Sequence, residues 1–485
     1  MTVIREETLD PEDWDDTARQ AHAALEEAIA YLRDVRQRPP WQQMPEQIRD
    51  RFEEPLPWEP QPLQEVLRSF TESILPYPMG NVHPRFWAWY MGAGNLTGAL
   101  ADFLAAAQGS NLGGGDHAAA LVDQQVIRWC KEIVGFPSSA SGTLVSGGSI
   151  ANLLALTVAR NGMGQGNVRE GGLGALKRPL RFYGSDQLHS CHRKAVEVLG
   201  LGSQALRTIP SDDDFCLDLR VLRAAIAEDR AAGLQPACII ASAGTVNTGA
   251  IDDLPALAAL AAQEDLWLHV DGCIGALIKL APRNGALVAG LEMADSLALD
   301  PHKWLHAPFD VGCCLIRDAA LHRSALASLP EYLDQAPRGL ASAEWLFELD
   351  LQLSRSFRAL KLWMALKEQG AAKFGRLIDQ NIDQAAYLTA LVEASPSLRL
   401  MAPTKINIVC FRFEAEELGE SETKALNREI MLLLQEEGLA VLSDTTLRER
   451  HCLRVAICNH RTRYQDLELL VGEVLRLGHE VAARM

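Results

Sequence analysis

Apolar positions in this chain keep two rhythms. Across residues 15–37 they recur as Ala21, Leu25, Ala28, Ile29, Leu32 and Val35, one stripe of a helix that stops at Pro39-Pro40. A Pro- and Trp-rich stretch follows, through Trp41, Pro55, Trp58 and Pro60 to Pro78, too irregular for a domain and read as an arm packing on something else. From about residue 96, short apolar runs alternate with helical periods. The runs at 180–183, 237–242, 266–271, 295–299 and 312–316 predict strands, and 150–160, 189–199, 219–232 and 254–264 predict helices. That alternation implies a mainly parallel sheet covered on both faces. A long helical region, from about 343 to 394, leads to a final unit with strands expected at 408–413, near 439–442 and at 452–457, and helices at 421–437 and 462–477. This last unit reads as a small α+β domain.

Composition narrows the function classes. At 485 residues the chain exceeds one compact core. With 48% hydrophobic and 22% charged residues it has the make-up of an ordinary globular protein, and no apolar run reaches membrane-spanning length. The net charge is −17 and no basic run interleaves with aromatics, so nucleic acid and anionic membrane are not expected partners. Residues 1–7 are acidic without an apolar core, unlike a secretory signal. Ten cysteines without a CxxC pair, several inside apolar runs, fit reduced buried thiols in a cytoplasm, with neither disulfide framework nor metal site.

Chemistry concentrates where strands are expected to end. Lys303, in Asp300-Pro301-His302-Lys303-Trp304, lies 32 residues after Asp271 of His269-Val270-Asp271. A lysine there can form an imine with a carbonyl cofactor, and an aspartate can keep a heterocyclic nitrogen protonated. In open α/β sheets, ligands bind outside the carboxyl ends of strands. Ser146-Gly147-Gly148-Ser149 opens a helix, leaving N–H groups that can cradle a phosphate, although Ser149 could equally be a plain N-cap. His189 leaves a strand end and could lie over a flat ring or simply cap a helix. The turn from Ala243 to Asp252, containing Thr245, permits close approach of a planar ligand or serves as an ordinary loop. The Gly-rich segment 162–166 lacks a preceding strand and is read as a loop.

Taken together, Ser-Gly-Gly-Ser, His-Val-Asp and Asp-Pro-His-Lys-Trp closely resemble the group II pyridoxal-phosphate-dependent amino-acid decarboxylases, the family of aromatic-amino-acid, histidine and glutamate decarboxylases, from about His83 to Trp363. The resemblance implies an α/β protein of the fold-type I transferase class. Its parts would be an N-terminal helical arm (1–95) packing on the partner subunit, a large domain (96–375) built on a mainly parallel seven-stranded sheet that binds pyridoxal 5'-phosphate, and a small C-terminal α+β domain (376–485).

The resemblance also assigns roles. Lys303 is similar to the lysine that bonds the cofactor, Asp271 to the acid at the pyridine nitrogen, and His189 to the catalytic histidine that stacks on the ring and assists protonation. Gly148 and Ser149 fall on phosphate-binding positions, Thr245 near the ring, and His302 before the lysine. Asp300 is left out of the phosphate set, because an ionised carboxylate facing a phosphate dianion is costly. Tyr332 matches a tyrosine on a mobile loop that closes over the partner's active site and protonates the substrate carbon. Phenylalanine at that place goes with aldehyde-forming relatives.

Trp89 and Tyr90 match substrate-pocket positions, whose aromatic walls suit an aromatic or bulky side chain. Arg85 offers a pairing group for an acidic one, and the glycines in 111–116 depart from the bulkier residues common there. The implied activity is decarboxylation of an L-amino acid to amine and CO2 in a cytoplasmic homodimer with shared active sites. The alternatives are an acidic substrate, a decarboxylation-coupled aldehyde synthase, or a non-catalytic dimeric binding protein on the same fold.

Overall fold

The computed structural model describes residues 7–328 and 333–485. Its larger sheet comprises β1 (Ser141–Val145), β2 (Leu180–Ser185), β3 (Leu206–Ile209), β4 (Gln235–Ser242), β5 (Trp267–Asp271), β6 (Ser296–Leu299) and β7 (Gly312–Ile316), in the order β1-β7-β6-β5-β4-β2-β3. β6, β5, β4, β2 and β3 pair in parallel, while β7 runs antiparallel to β6 and β1. Both faces are buried, which explains the near-continuous apolar runs. In β4, Cys238 and Ile240 enter one core with Leu154 of the helix Gly148–Met163. Ile239 and Ala241 enter the other with Leu257 of the helix Leu254–Glu264, as the two-residue strand period requires.

A second sheet, of β8 (Leu398–Leu400), β9 (Ile408–Phe413), β10 (Ser443–Leu447) and β11 (Arg450–Ala456), is antiparallel throughout, in the order β10-β11-β9-β8. Val409, Phe411 and Phe413 pack under helices through Leu388, Leu426 and Leu470. Ile408 and Cys410 point the other way and join the core of the larger sheet.

Three strands escape the periodicity. β1 is rich in small residues, and β3 and β8 span four and three residues, too short to show alternation. The strand expected near 439–442 lies instead at Ser443–Leu447. The backbone of Val441 is taken by the arm: Val441 N donates to Arg85 O at 3.1 Å, and Trp87 N donates to Val441 O at 2.8 Å. The long helix expected from 343 begins only at Ala359, runs to Gln369, breaks at Gly370 and resumes over Ala371–Glu393. Gly370 has φ 75°, a left-handed conformation that glycine adopts without a Cβ clash. Upstream, side chains compete for the backbone, with Asp350 Oδ1 accepting from Leu351 N at 2.6 Å and Asn111 Oδ1 from Arg355 N at 3.0 Å.

Asp13 caps the first helix, Trp14–Arg33, by accepting from Asp16 N at 2.9 Å. The arm is tied to the second sheet's layer by Arg36 Nη1, 2.7 Å from Asp466 Oδ1, and by the buried Trp87. It still exposes Trp14, Leu56, Trp58 and Phe70.

Segment 350–355 is held by one buried cation. Arg355 Nε lies 2.9 Å from Asp350 Oδ2, Nη1 donates to Leu112 O at 2.8 Å, and Nη2 donates to Thr143 Oγ1 and Leu144 O, each at 3.1 Å. Removing one partner of a buried ion pair strands the other charge. Arg355→Met is therefore expected to cost about 3–5 kcal/mol, read as a lower denaturant midpoint of the purified protein. An unchanged midpoint would contradict this role.

Candidate active site

The C-terminal ends of β1, β2, β4, β5 and β6 share one edge of the larger sheet, and β7 begins there. The segments leaving that edge enclose a cavity of about 430 Å³, within the usual range for small-molecule sites. It is lined by Gly147, Gly148 and Ser149 after β1, by His189 after β2, by Thr245 after β4, by Asp271 at the end of β5, and by His302 and Lys303 after β6. Every one of these was singled out in the sequence, and the fold brings them to a single space.

Asp271 is held from several sides. His192 Nε2 lies 2.8 Å from its Oδ2, Asn152 Nδ2 donates to the same oxygen at 3.2 Å, and Cys273 N donates to Oδ1 at 3.1 Å. Burial opposes the charged form, but His192, Cys273 and the Lys303 ammonium outweigh it, holding the carboxyl well below the usual carboxylate range. Behind Asn152, His269 Nε2 meets Asn152 Oδ1 at 2.8 Å, and His269 Nδ1 meets Ser296 Oγ at 2.8 Å. Burial pushes His269 down to about 3, so it is neutral at ordinary pH.

Lys303 sits in the short helix Pro301–Trp304 after β6, and its Nζ lies 3.0 Å from Asp300 Oδ2. Burial works against the ammonium, yet the charges of Asp300 and Asp271 raise its pKa above the ordinary lysine value. His302 packs its ring on Phe309, centroids 4.6 Å apart, while its Nδ1 accepts from Val311 N at 3.3 Å. His189 Nδ1 accepts from Cys191 N at 3.2 Å, and burial lowers its pKa below the ordinary histidine value. Thr245 Oγ1 pairs with Thr248 Oγ1 at 3.0 Å.

Trp89 and Tyr90 both line the cavity, in left-handed conformations with φ 54° and 74° that non-glycine residues seldom adopt. Trp89 is 56% exposed, whereas Tyr90 is buried with its hydroxyl accepting from Asn407 Nδ2 at 3.0 Å. Arg85 does not line the cavity, so the pairing group suggested for an acidic side chain is not there. Nor do residues 111–116 line it: a Cβ on Gly114 would strike the backbone of Glu344, Trp345 and Leu346, so that glycine serves close chain packing. Tyr332 lies outside the described residues.

Against known proteins, the model of the pyridoxal-dependent decarboxylase conserved domain matches residues 45–414. The chain belongs to this family. An aromatic-L-amino-acid decarboxylase of Bacillus atrophaeus is 34% identical over 443 residues, 90% of this chain and 89% of the relative. A phenylacetaldehyde synthase of Petunia hybrida is 27% identical over 485 residues, 95% of this chain and 93% of that protein. The crystal structure of Oryza sativa TDC with PLP and tryptamine superposes with a TM-score of 0.90 at 25% identity, covering 98% of this chain and all of that one. The fold is that of the pyridoxal-phosphate decarboxylases, and the chain is a carboxy-lyase whose cofactor is pyridoxal 5'-phosphate.

The cavity fits that cofactor on its own chemistry. A Cβ on Gly148 would run into Cys273 Sγ and Asp300 Oδ2, so only glycine keeps the start of the helix Gly148–Met163 open to an anion. An ionised carboxylate and a primary amine share the same space. Three participants were missed in the sequence. His192 follows His189 by three residues, and that helical spacing was its one signal. His269 was quoted in its motif without a role, and Asn152 lies inside the helix expected at 150–160. Asp300, set apart from the phosphate group in the sequence reading, lies against the cradle and grips Lys303.

This contact has a kinetic consequence. Asp300→Asn removes the charge that keeps Lys303 protonated, so at neutral pH more of its amine is free to react. The apoprotein is predicted to take up pyridoxal, which has no phosphate, several-fold faster, measured as growth of visible absorbance. An unchanged or slower rate would count against the contact.

Proposed function

We propose that this chain removes the carboxylate of an aromatic L-amino acid as CO2 and releases the amine, working as a cytoplasmic homodimer. The observation that carries the reading is the convergence of Asp271 and Lys303 on one cavity walled by Trp89 and Tyr90. Aromatic walls bind an aromatic side chain by area burial and ring contact. The Bacillus atrophaeus relative bears the matching name.

Lys303 would hold pyridoxal phosphate, which would supply an electron-poor ring able to take up the electron pair of the bond to CO2. The chain provides the surroundings. N–H groups at the start of the helix Gly148–Met163, with the Ser149 hydroxyl, hold the phosphate. The Asp271 carboxylate keeps a proton on the ring nitrogen. His189, a neutral imidazole, would cover the ring and assist protonation, with Thr245 and His302 lining the same cavity. Tyr332 delivers the proton to the substrate carbon and so decides between amine and aldehyde. The Petunia hybrida relative makes aldehyde formation the second reading.

The exposed apolar side chains of the arm, together with Phe103 and Leu121, support pairing of two copies across this surface, with residues 1–95 packing on the partner. All ten cysteines are free, as a reducing compartment favours, and no helix among the described residues is long and apolar enough to cross a membrane.

Borohydride reduction of the yellow protein is expected to fix the cofactor on Lys303, found by peptide mass. CO2 and amine measured over tryptophan, tyrosine, phenylalanine and glutamate should favour the aromatic substrates. No CO2 from any of them would leave only a binding protein. Tyr332→Phe is predicted to cut amine formation about 100-fold, the order of a lost general acid, and to release aldehyde, ammonia and peroxide. Amine at the unaltered rate would rule out this role.

A further inference from the structure

His192 has no part in the chemistry above, yet it is completely buried against the Asp271 carboxylate. It sits in the first turn of the helix Cys191–Val198, its Nε2 2.8 Å from Asp271 Oδ2 and its ring edge-on to His269 at 6.0 Å between centroids. Its Nδ1 has no hydrogen-bond partner among the described residues. A carboxylate can only accept, so the proton of the shared bond belongs on His192 Nε2. A second proton on Nδ1 would be a buried donor without an acceptor, on a cation hidden from water. The network therefore assigns a neutral Nε2–H tautomer.

The far side of Asp271 follows the same direction. Trp267 Nε1 donates to Ser296 Oγ at 2.8 Å, leaving the Ser296 hydroxyl to donate to His269 Nδ1. His269 Nε2 then donates to Asn152 Oδ1, and Asn152 Nδ2 donates to Asp271 Oδ2. Two uncharged donor groups thus meet on Oδ2, while Oδ1 receives the backbone N–H of Cys273, whose thiol also bonds to this carboxyl group. Neutral donors orient a carboxylate without cancelling its charge. Cys191 and His192 also present possible metal-ligand atoms within 4.8 Å of those of Asp271. The thiol of Cys191, pushed up to about 12 by burial and by Asp271, keeps its proton and makes a poor ligand.

We propose that His192 is a positioning residue, whose neutral Nε2–H pins Asp271 Oδ2 and so fixes the carboxylate in the orientation that would keep the ring nitrogen protonated. This rests on the role of Asp271 given above.

The test compares His192→Leu, which removes the donor, with His192→Gln, whose amide can replace it. With the cofactor labelled with nitrogen-15 in the ring, His192→Leu should move the ring-nitrogen resonance toward the unprotonated form. It should also lower kcat about 10- to 100-fold, the scale of a lost hydrogen bond to a charged group, with KM little changed, and His192→Gln should recover most of both. An unmoved resonance with unchanged kcat in His192→Leu overturns the proposal.

Should His192→Leu fail to fold, the nitrogen-15 spectrum of the unsubstituted protein still decides. The His192 signal, assigned by its loss in His192→Gln, must show a proton on Nε2 alone, and an Nδ1–H or doubly protonated ring refutes the assignment. Absence of any cofactor binding by the unsubstituted protein would instead refute the reading of Asp271, a separate outcome.

Discussion

A carboxylate kept ionised inside a protein needs donors on it, and Asp271 is where this molecule meets that demand. The cost of removing a charge from water is large, and it is offset only by hydrogen bonds and opposite charge at close range. Here the donors come from three separate stretches of chain: His192 after β2, Asn152 in the helix after β1, and Cys273 just beyond β5. Their meeting point requires β1, β2 and β5 to end at one edge, so the strand order and the buried charge are two aspects of one arrangement.

The amine opposite is governed by the same electrostatics. Lys303 is partly buried, which disfavours its charge, and is held charged by Asp300 and Asp271. The cavity thus sets one ammonium against two carboxylates, with neutral histidines at 189 and 269 around them. Its polarity matches a ligand with an anion at one end and a cationic ring at the other. Glycine at 148 supplies the remaining requirement, bare backbone N–H groups where a side chain would collide with Cys273 and Asp300.

Much of the larger sheet was legible in the sequence because its strands are buried on both faces and appear as unbroken apolar runs ending in charged or small residues. The motifs at 271 and 302–303 were visible for the same reason, since each ends or follows such a run, whereas 146–149 was visible through its glycines ahead of a helical period. What stayed hidden depends on contacts distant along the chain. His192 looks like any polar residue at the start of a helix until the fold sets it beside Asp271. Strands of three or four residues carry too little alternation to be recognised. The shift from 439–442 to Ser443–Leu447 arises because Val441 spends its backbone groups on Arg85 and Trp87, some 350 positions earlier.

That last pairing reaches further than register. Trp87 also accepts from Ala456 N at 3.0 Å, so the stretch just ahead of Trp89 and Tyr90 is laced into the C-terminal layer by main-chain bonds on both sides. The aromatic rim of the catalytic chamber is therefore suspended from the small sheet, although the reactive groups belong to the large one. The cavity thus draws its walls from two layers: the acid and the amine from the larger sheet, and the aromatic rim from a stretch anchored on the smaller one.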